Sequence, residues 1–66
     1  MKVFIVERTD KIGWTEDYLM VVVAIDEKHA ERKARISSDD FRKASIKITE
    51  VDLSIEQVLA TENTGA

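Results

Sequence analysis

The feature that most constrains the fold is an uninterrupted apolar run at residues 18–25, with the sequence Tyr-Leu-Met-Val-Val-Val-Ala-Ile. The run contains three consecutive valines and neither glycine nor proline, which favours a strand over a helix. Successive side chains of a strand point to opposite faces, so both faces of this segment are apolar. The pattern therefore predicts the central strand of a sheet, buried on both faces.

The length of the chain, 66 residues, fits one domain, and we expect residues 1–66 to form it with residues 63–66 as a loose tail. A domain of this size buries only about 60% of its unfolded surface and often needs a disulfide, a metal or a partner chain. The sequence has no cysteine and one histidine, which excludes a disulfide, a thiolate site and a multi-histidine zinc site. We therefore predict self-association as a dimer.

Charge is distributed in bands along the chain, whose net charge is -3. Residues 1–27 hold three basic and six acidic side chains, residues 28–47 hold seven basic and three acidic ones, and the last nineteen hold four acidic ones only. The apolar run is far shorter than the roughly 20 residues that cross a bilayer. The absence of cysteine suits a reducing compartment, so we expect a cytoplasmic protein with no membrane partner.

Residues 2–8 are apolar in the middle on both faces and charged at the ends, which predicts a second strand with a buried centre. Residues 9–17 are polar around Gly13 and would join the two strands as an antiparallel hairpin. A hairpin loop of about nine residues is longer than the usual two to five, and extra length of this kind often serves a function.

A helix is predicted at residues 27–36, because Asp26 has the side chain of an N-cap and Glu27 suits the positive end of the helix dipole. At 100° per residue, Ala30 and Ala34 fall on one side and would let the helix lie close to the sheet. The opposite side carries a basic stripe formed by Lys28, Arg32 and Arg35.

After the helix, residues 37–40 predict a stop, Phe41 an apolar plug into the core, and residues 45–53 a third strand. Residues 54–57 resemble a helix capping box, whereas residues 58–61 could form a short edge strand, which we favour. The predicted fold is a small α+β domain, β-β-α-β with a possible fourth strand, in which one helix packs on one face of a three- to four-stranded sheet.

A right-handed crossover through the helix would place the third strand parallel to the second, on the far side of the first. The face of the sheet away from the helix would then still show apolar side chains from the first two strands. An exposed apolar patch in a soluble protein usually indicates a partner.

Three stretches of the chain resemble a group of small phage and prophage-encoded proteins of uncharacterised function. They are the opening residues 1–6, the strand at residues 21–24 running into an acid-led helix with Ala30, and the closing residues 58–65. The resemblance implies a small β-rich fold and an origin in a mobile element. It implies no activity.

No motif predicts catalysis, a cofactor or a metal. Asp39 and Asp40 follow a helix end, where a solvated turn is the simpler interpretation, and the acidic residues of the loop lack the ligand pattern of a calcium site. His29 has no second histidine or cysteine beside it, and neither glycine lies in a phosphate-binding motif. We therefore predict no catalytic, cofactor-binding or metal-binding residues and no enzymatic activity.

Two features predict a binding surface: the basic stripe of the helix, and Trp14 with Ile12 on the long loop. The stripe could equally be a solvated helix face with pairs such as Glu31 and Arg35, and Trp14 could fold back with Ile12 onto a small core. We expect a non-enzymatic protein that binds another macromolecule, which is a host protein if the chain comes from a mobile element. A nucleic-acid-binding regulator is the alternative, disfavoured by overall acidity, and a small oligomeric enzyme or ligand-binding protein with a site between subunits is a distant third.

Overall fold

The computed structural model describes residues 1–59, and the elements follow the predicted order. Three strands and one helix form a small α+β domain, as predicted, with a short 3-10 helix, Asp39–Phe41, after the main helix. The strands are β1 (Lys2–Arg8), β2 (Leu19–Ala24) and β3 (Ile46–Glu50), and the helix is α1 (Glu27–Ser37).

Strand β1 lies in the middle of the sheet, whose order is β2-β1-β3, and both of its neighbours run antiparallel to it. Val6, for example, is opposite Met20 on one side and Ile48 on the other. The predicted position of β3, parallel to β2 and beyond β1, is confirmed. The prediction that residues 18–25 form the central strand is wrong, because that segment is an edge strand.

The hydrogen bonds of β1 alternate between its two neighbours. The Arg8 N–H donates to the Tyr18 carbonyl at 2.9 Å, and the next N–H, of Thr9, donates to the Ser45 carbonyl at 2.9 Å. Because hydrogen-bonded pairs recur at every second residue of an antiparallel ladder, the even-numbered residues of β1 bond to β2 and the odd-numbered residues bond to β3.

Strand β2 is buried on one face only, so the prediction that both of its faces are buried is also wrong. Val22 and Ala24 face the helix and are buried, whereas Val21 and Val23 point to the other face and are each 56% exposed. The reason is that the single helix covers only one side of the sheet. We call the side away from the helix, with the exposed Val21 and Val23, the open face; their β1 partners Val3 and Ile5 also lie on this side, and Ile5 is only 9% exposed.

The core lies between the sheet and α1, and its members are small or medium-sized side chains except for two phenylalanines. Ala30 and Ala34 are fully buried, as the helical periodicity predicts, and Phe41 is the predicted plug, also fully buried. The complete cluster is Phe4, Val6, Val22, Ala24, Ala30, Ala34 and Phe41. Alanines on the inward side let the helix axis approach the sheet closely.

Helix α1 begins and ends within one residue of the predicted bounds. The Asp26 carboxylate accepts the His29 N–H at 2.8 Å as an N-cap, and this hydrogen bond lowers the pKa of Asp26. At the other end the Ser38 N–H bonds to the Ala34 carbonyl at 3.3 Å. Asp26 also contacts the His29 ring at 2.8 Å.

Strand β3 is shorter than the predicted residues 45–53, although Val51 next to its end is buried and its N–H bonds to the Val3 carbonyl at 2.8 Å. Val58 and Leu59 are not in a strand, which contradicts the first half of the predicted edge strand at residues 58–61. Its second half and the expected loose tail at residues 63–66 lie outside the described residues. No helix within residues 1–59 is long and apolar enough to cross a membrane.

Replacing Ala34 by leucine should lower the free energy of unfolding by about 1–3 kcal/mol, because the side chain would have to fit between helix and sheet where no space is left. The matched control, Lys33→Leu, adds a leucine on the exposed side of the same helix turn and should change stability by less than about 0.5 kcal/mol. Chemical denaturation measures both. Equal effects would contradict the close packing of α1.

Candidate functional site

Within residues 1–59 the side chain with the most hydrogen bonds is that of Arg8, the last residue of the central strand. Its side chain is only 6% exposed and lies inside the loop that joins β1 and β2. Nε and Nη2 donate to the two carboxylate oxygens of Asp10 at 2.9 and 3.1 Å. Nη2 also reaches the Lys11 carbonyl at 3.1 Å, and Nη1 reaches the Asp17 carbonyl at 3.3 Å and Glu16 Oε1 at 3.5 Å. One guanidinium thus bonds to both arms of the loop.

The bidentate geometry of this contact stabilises the charged forms of both partners. The hydrogen bonds from Arg8 lower the pKa of Asp10, and the same contact raises the pKa of Arg8. A guanidinium offers five donors in a fixed plane, which a lysine could not replace. Arg8 is therefore the residue that determines the shape of the loop.

A tight turn forms the tip of the loop at Gly13, Trp14, Thr15 and Glu16. The Glu16 N–H bonds to the Gly13 carbonyl at 3.4 Å, and the Glu16 carboxylate accepts the Gly13 N–H at 2.5 Å. A Cβ atom on Gly13 would lie 3.1 Å from Glu16 Oε1, which leaves little room for a side chain. Thr15 has a φ of 64°, a left-handed conformation that is unfavourable for a β-branched residue. The chain therefore holds a strained conformation next to Trp14.

The outer arm of the loop is attached to the segment that follows the helix. The Asp17 N–H donates to Asp40 Oδ2 at 2.8 Å, and the Ser38 hydroxyl donates to Asp17 Oδ2 at 3.0 Å. The helix stop predicted at residues 37–40 begins one residue later, since Ser37 is still helical, and Asp40 in addition fixes the loop. The loop is thus held by hydrogen bonds with Arg8 on its inner side and with Ser38 and Asp40 on its outer side.

Trp14 points into solvent from this loop, and its side chain is 96% exposed. Ile12, two residues before it, is 38% exposed. The alternative in which Trp14 folds back onto the core is not the arrangement in the structure. The loop therefore presents a large apolar side chain on a hydrogen-bonded support, and its role in binding stays a prediction.

The three residues of the basic stripe have different surroundings in the structure. Lys28 and Arg32 are exposed, whereas Arg35 is half-buried and donates to Glu31 Oε2 at 3.1 Å, the expected i, i+4 pair. Arg35 also bonds to three carbonyls of the segment after the helix, those of Phe41 at 2.7 Å, Arg42 at 3.3 Å and Ala44 at 3.0 Å. Arg35 thus holds that segment against the helix.

Sequence reasoning missed these structural roles of Arg8 and Arg35. For Arg8 a signal was present, since an arginine at the end of a strand is followed by acids at positions 10, 16 and 17. For Arg35 the sequence indicated only the pair with Glu31, because its other three acceptors are main-chain carbonyls.

A few other charged side chains form exposed pairs, among them Lys2 and Glu50 at 3.8 Å. Asp39 accepts a hydrogen bond from Arg42 at 2.6 Å, and His29 contacts Asp26. Within residues 1–59 no group of three acidic, histidine or cysteine side chains is placed to hold a metal ion. A shallow depression at Arg8 is lined by four acidic side chains, Asp10, Glu16, Asp39 and Asp40, and by three basic ones, Arg8, Arg42 and Lys43.

No known protein family, curated protein or solved structure matches this chain. The expected relation to small phage proteins stays a prediction, as do the expected lack of catalysis and the binding roles of Trp14, Ile12 and the basic stripe.

Replacing Arg8 by glutamine should raise the pKa of Asp10 toward its ordinary value, because the bidentate hydrogen bond is lost. A carboxylate with a lowered pKa stabilises the fold at neutral pH, and this contribution is lost as the pH falls through the lowered pKa, below about 4. Carboxyl NMR titration measures the shift. Arg42→Gln removes the exposed pair with Asp39 and should leave Asp10 unchanged; an unchanged Asp10 in Arg8→Gln would contradict the role of Arg8.

Replacing Arg35 by glutamine should lower the free energy of unfolding by about 1–3 kcal/mol, since carbonyls in partly buried positions lose a charged donor. The control is Lys28→Gln, an exposed member of the same stripe, which should change stability by less than about 0.5 kcal/mol. Thermal unfolding of both variants distinguishes a structural arginine from a solvated one. Two equally stable variants would show that Arg35 is solvated surface.

Proposed function

We propose that this protein is a non-enzymatic protein-binding module and that the Trp14 loop is its main contact. The observation that supports the proposal is the combination of a 96% exposed tryptophan with a loop fixed by Arg8, Ser38 and Asp40. Tryptophan is among the commonest residues at binding hot spots. Rigid presentation reduces the entropy that is lost on binding.

The free energy gained by burying the Trp14 side chain is large enough for a specific contact. A tryptophan side chain can bury about 150–250 Å² in a complex, which at about 25 cal/mol per Å² corresponds to roughly 4–6 kcal/mol before the costs of association. A partner therefore needs an apolar pocket wide enough for an indole. Ile12, two residues before Trp14 in the same loop and 38% exposed, would contact the rim of that pocket.

The partner is a host protein if the chain comes from a phage or prophage, and its resemblance to such proteins supports this part of the proposal. A cytoplasmic location is also part of the proposal, and the lack of cysteine suits such a reducing compartment. A nucleic-acid target is the second candidate, since Lys28, Arg32 and Lys33 are exposed and an indole can stack on a base. It has weaker support, because the Arg35 guanidinium already forms hydrogen bonds within the protein and the net charge of the chain is -3.

Self-association is a further part of the proposal. Its support is the open face, where Val21 and Val23 are each 56% exposed in a domain too small to bury a large core. Sedimentation at micromolar concentration should show a dimer or a larger species. A monomer throughout, with a melting temperature independent of concentration, would contradict this part.

Replacing Trp14 by alanine should abolish capture of the partner from a host lysate and leave thermal unfolding nearly unchanged, because the side chain contacts solvent rather than core. With the identified partner, titration should shift the Trp14 emission to the blue, protect it from iodide, and show a loss of at least about thirtyfold in affinity for the variant.

The matched control is Ile36→Ala, which removes an exposed apolar side chain from the helix and should preserve capture. The proposal fails if Trp14→Ala binds as the wild type does. It also fails if the free protein shows a blue-shifted, iodide-protected indole and the variant loses several degrees of melting temperature.

A further inference from the structure

We infer that a second copy of this chain docks along the free edge of β2, so that two β2 strands pair antiparallel across a two-fold axis and the two sheets become one of six strands. The inference rests on the self-association proposed above and adds the surface through which it occurs. It depends on three properties of β2: its free backbone groups, its lack of charge and its difference from the other edge of the sheet.

The first property is a row of free hydrogen-bonding groups. Because Tyr18 accepts the Arg8 N–H, the even-numbered residues of β2 bond to β1, and the backbone N–H and C=O groups of Leu19, Val21 and Val23 point away from the sheet. Within residues 1–59 none of these groups has a hydrogen-bond partner. They form a template for another strand.

The second property is the composition of the strand, Leu-Met-Val-Val-Val-Ala, which contains no charged residue and no proline. Its pairing with β1 runs from Glu7 opposite Leu19 to Lys2 opposite Ala24 without a bulge. Charges, prolines and bulges are the usual devices that keep an edge strand from pairing. All three are absent from β2.

The third property is the contrast with β3, the other edge, which carries Lys47 and Glu50. Pairing of β2 with the β3 edge of another copy would place these charges beside an apolar strand and leave two edges free for further growth. Pairing of β2 with β2 is symmetric and closes after two copies. The structure therefore favours a dimer over a fibre.

A second copy of the chain suits the edge of β2, because the β2 strand that it would offer is also uncharged. With the two-fold axis at Val22, Val21 lies opposite Val23 of the partner subunit, and no charged residue of either β2 strand opposes another. Val21 and Val23 would lie beside their counterparts on a continuous open face and lose part of their exposure to water. The two Trp14 loops would lie at opposite ends of the paired strands, roughly 20 Å apart or more, so that both stay available to a partner.

Amide hydrogen exchange tests the edge directly, on the unmodified chain. At concentrations where sedimentation shows a dimer, the amides of Val21 and Val23 should exchange at least tenfold more slowly than at concentrations where it shows a monomer. The amides of Met20 and Val22, which bond to β1, should be protected at both concentrations. A dimer in which these two outward amides still exchange rapidly would overturn the edge and leave self-association standing; a monomer at every concentration would overturn both.

A pair of variants at one position provides the second test. Val21→Pro removes one outward N–H while the bonds between β1 and β2 remain, and it should weaken the dimer at least tenfold. Val21→Thr keeps the N–H and a similar shape, and should weaken the dimer less than threefold. Equal effects of the two variants would overturn the inference. If Val21→Pro does not fold, as circular dichroism would show, the exchange pattern decides.

Thr49→Lys distinguishes edge pairing from stacking of two open faces. Thr49 lies opposite Ile5 on the open face but belongs to β3, away from the β2 edge. A lysine at this position should leave an edge-paired dimer within about threefold of the wild type. Loss of the dimer in Thr49→Lys, with retention in Val21→Pro, would show that the faces stack and the edges do not pair.

Discussion

The structure depends on one constraint: β1 forms hydrogen bonds along both of its edges, while a single helix covers only one face of the sheet. The two-sided pairing places β2 and β3 at the edges and sets which residues face α1. Val6 and Phe4 then meet Ala30, Ala34 and Phe41 in one small core. Because no second helix packs on the sheet within residues 1–59, Val21 and Val23 on the open face stay exposed. The uncharged strand β2 has a neighbour on one side only.

The same central strand also determines the loop that carries Trp14. Arg8 is its last residue, and the guanidinium of Arg8 bonds to residues on both arms of the loop. These hydrogen bonds connect the loop to the sheet and restrict its motion. The unfavourable conformation of Thr15 is held by these surrounding bonds. A long hairpin with no such support would sample many conformations. The exposure of the Trp14 indole and the hydrogen bonds that fix its loop therefore support the same proposal, a binding role for this loop.

Much of the fold could be predicted from the sequence, since local signals determined it. Asp26 as an N-cap, the Ala30 and Ala34 spacing, and Phe41 after the helix stop each act over a few residues. The crossover rule then placed β3 beyond β1. The centre of the sheet could not be predicted, because an apolar run of this kind is compatible with a central strand or with an edge strand whose partner is another chain.

The loop that carries Trp14 was predicted from the sequence, but the hydrogen bonds that hold it were not. Loop length and composition indicated Trp14, yet the roles of Arg8, Arg35 and Asp40 depend on residues up to 23 positions away that meet only in the folded chain. Periodicity placed Arg35 on the outer side of the helix and could not show that a later segment returns to bond with it. Side chains that fix loops are therefore harder to predict than side chains that fill cores.

The central claim is that the loop is a rigid support for an exposed indole, and nitrogen-15 relaxation of the protein without its binding partner tests it most directly. We expect the backbone amides of residues 10–17 to have order parameters near those of β1 and β2, about 0.85, while the Trp14 indole stays accessible to a soluble paramagnetic probe. Order parameters below about 0.6 through residues 12–16, or an indole shielded from the probe, would contradict the claim.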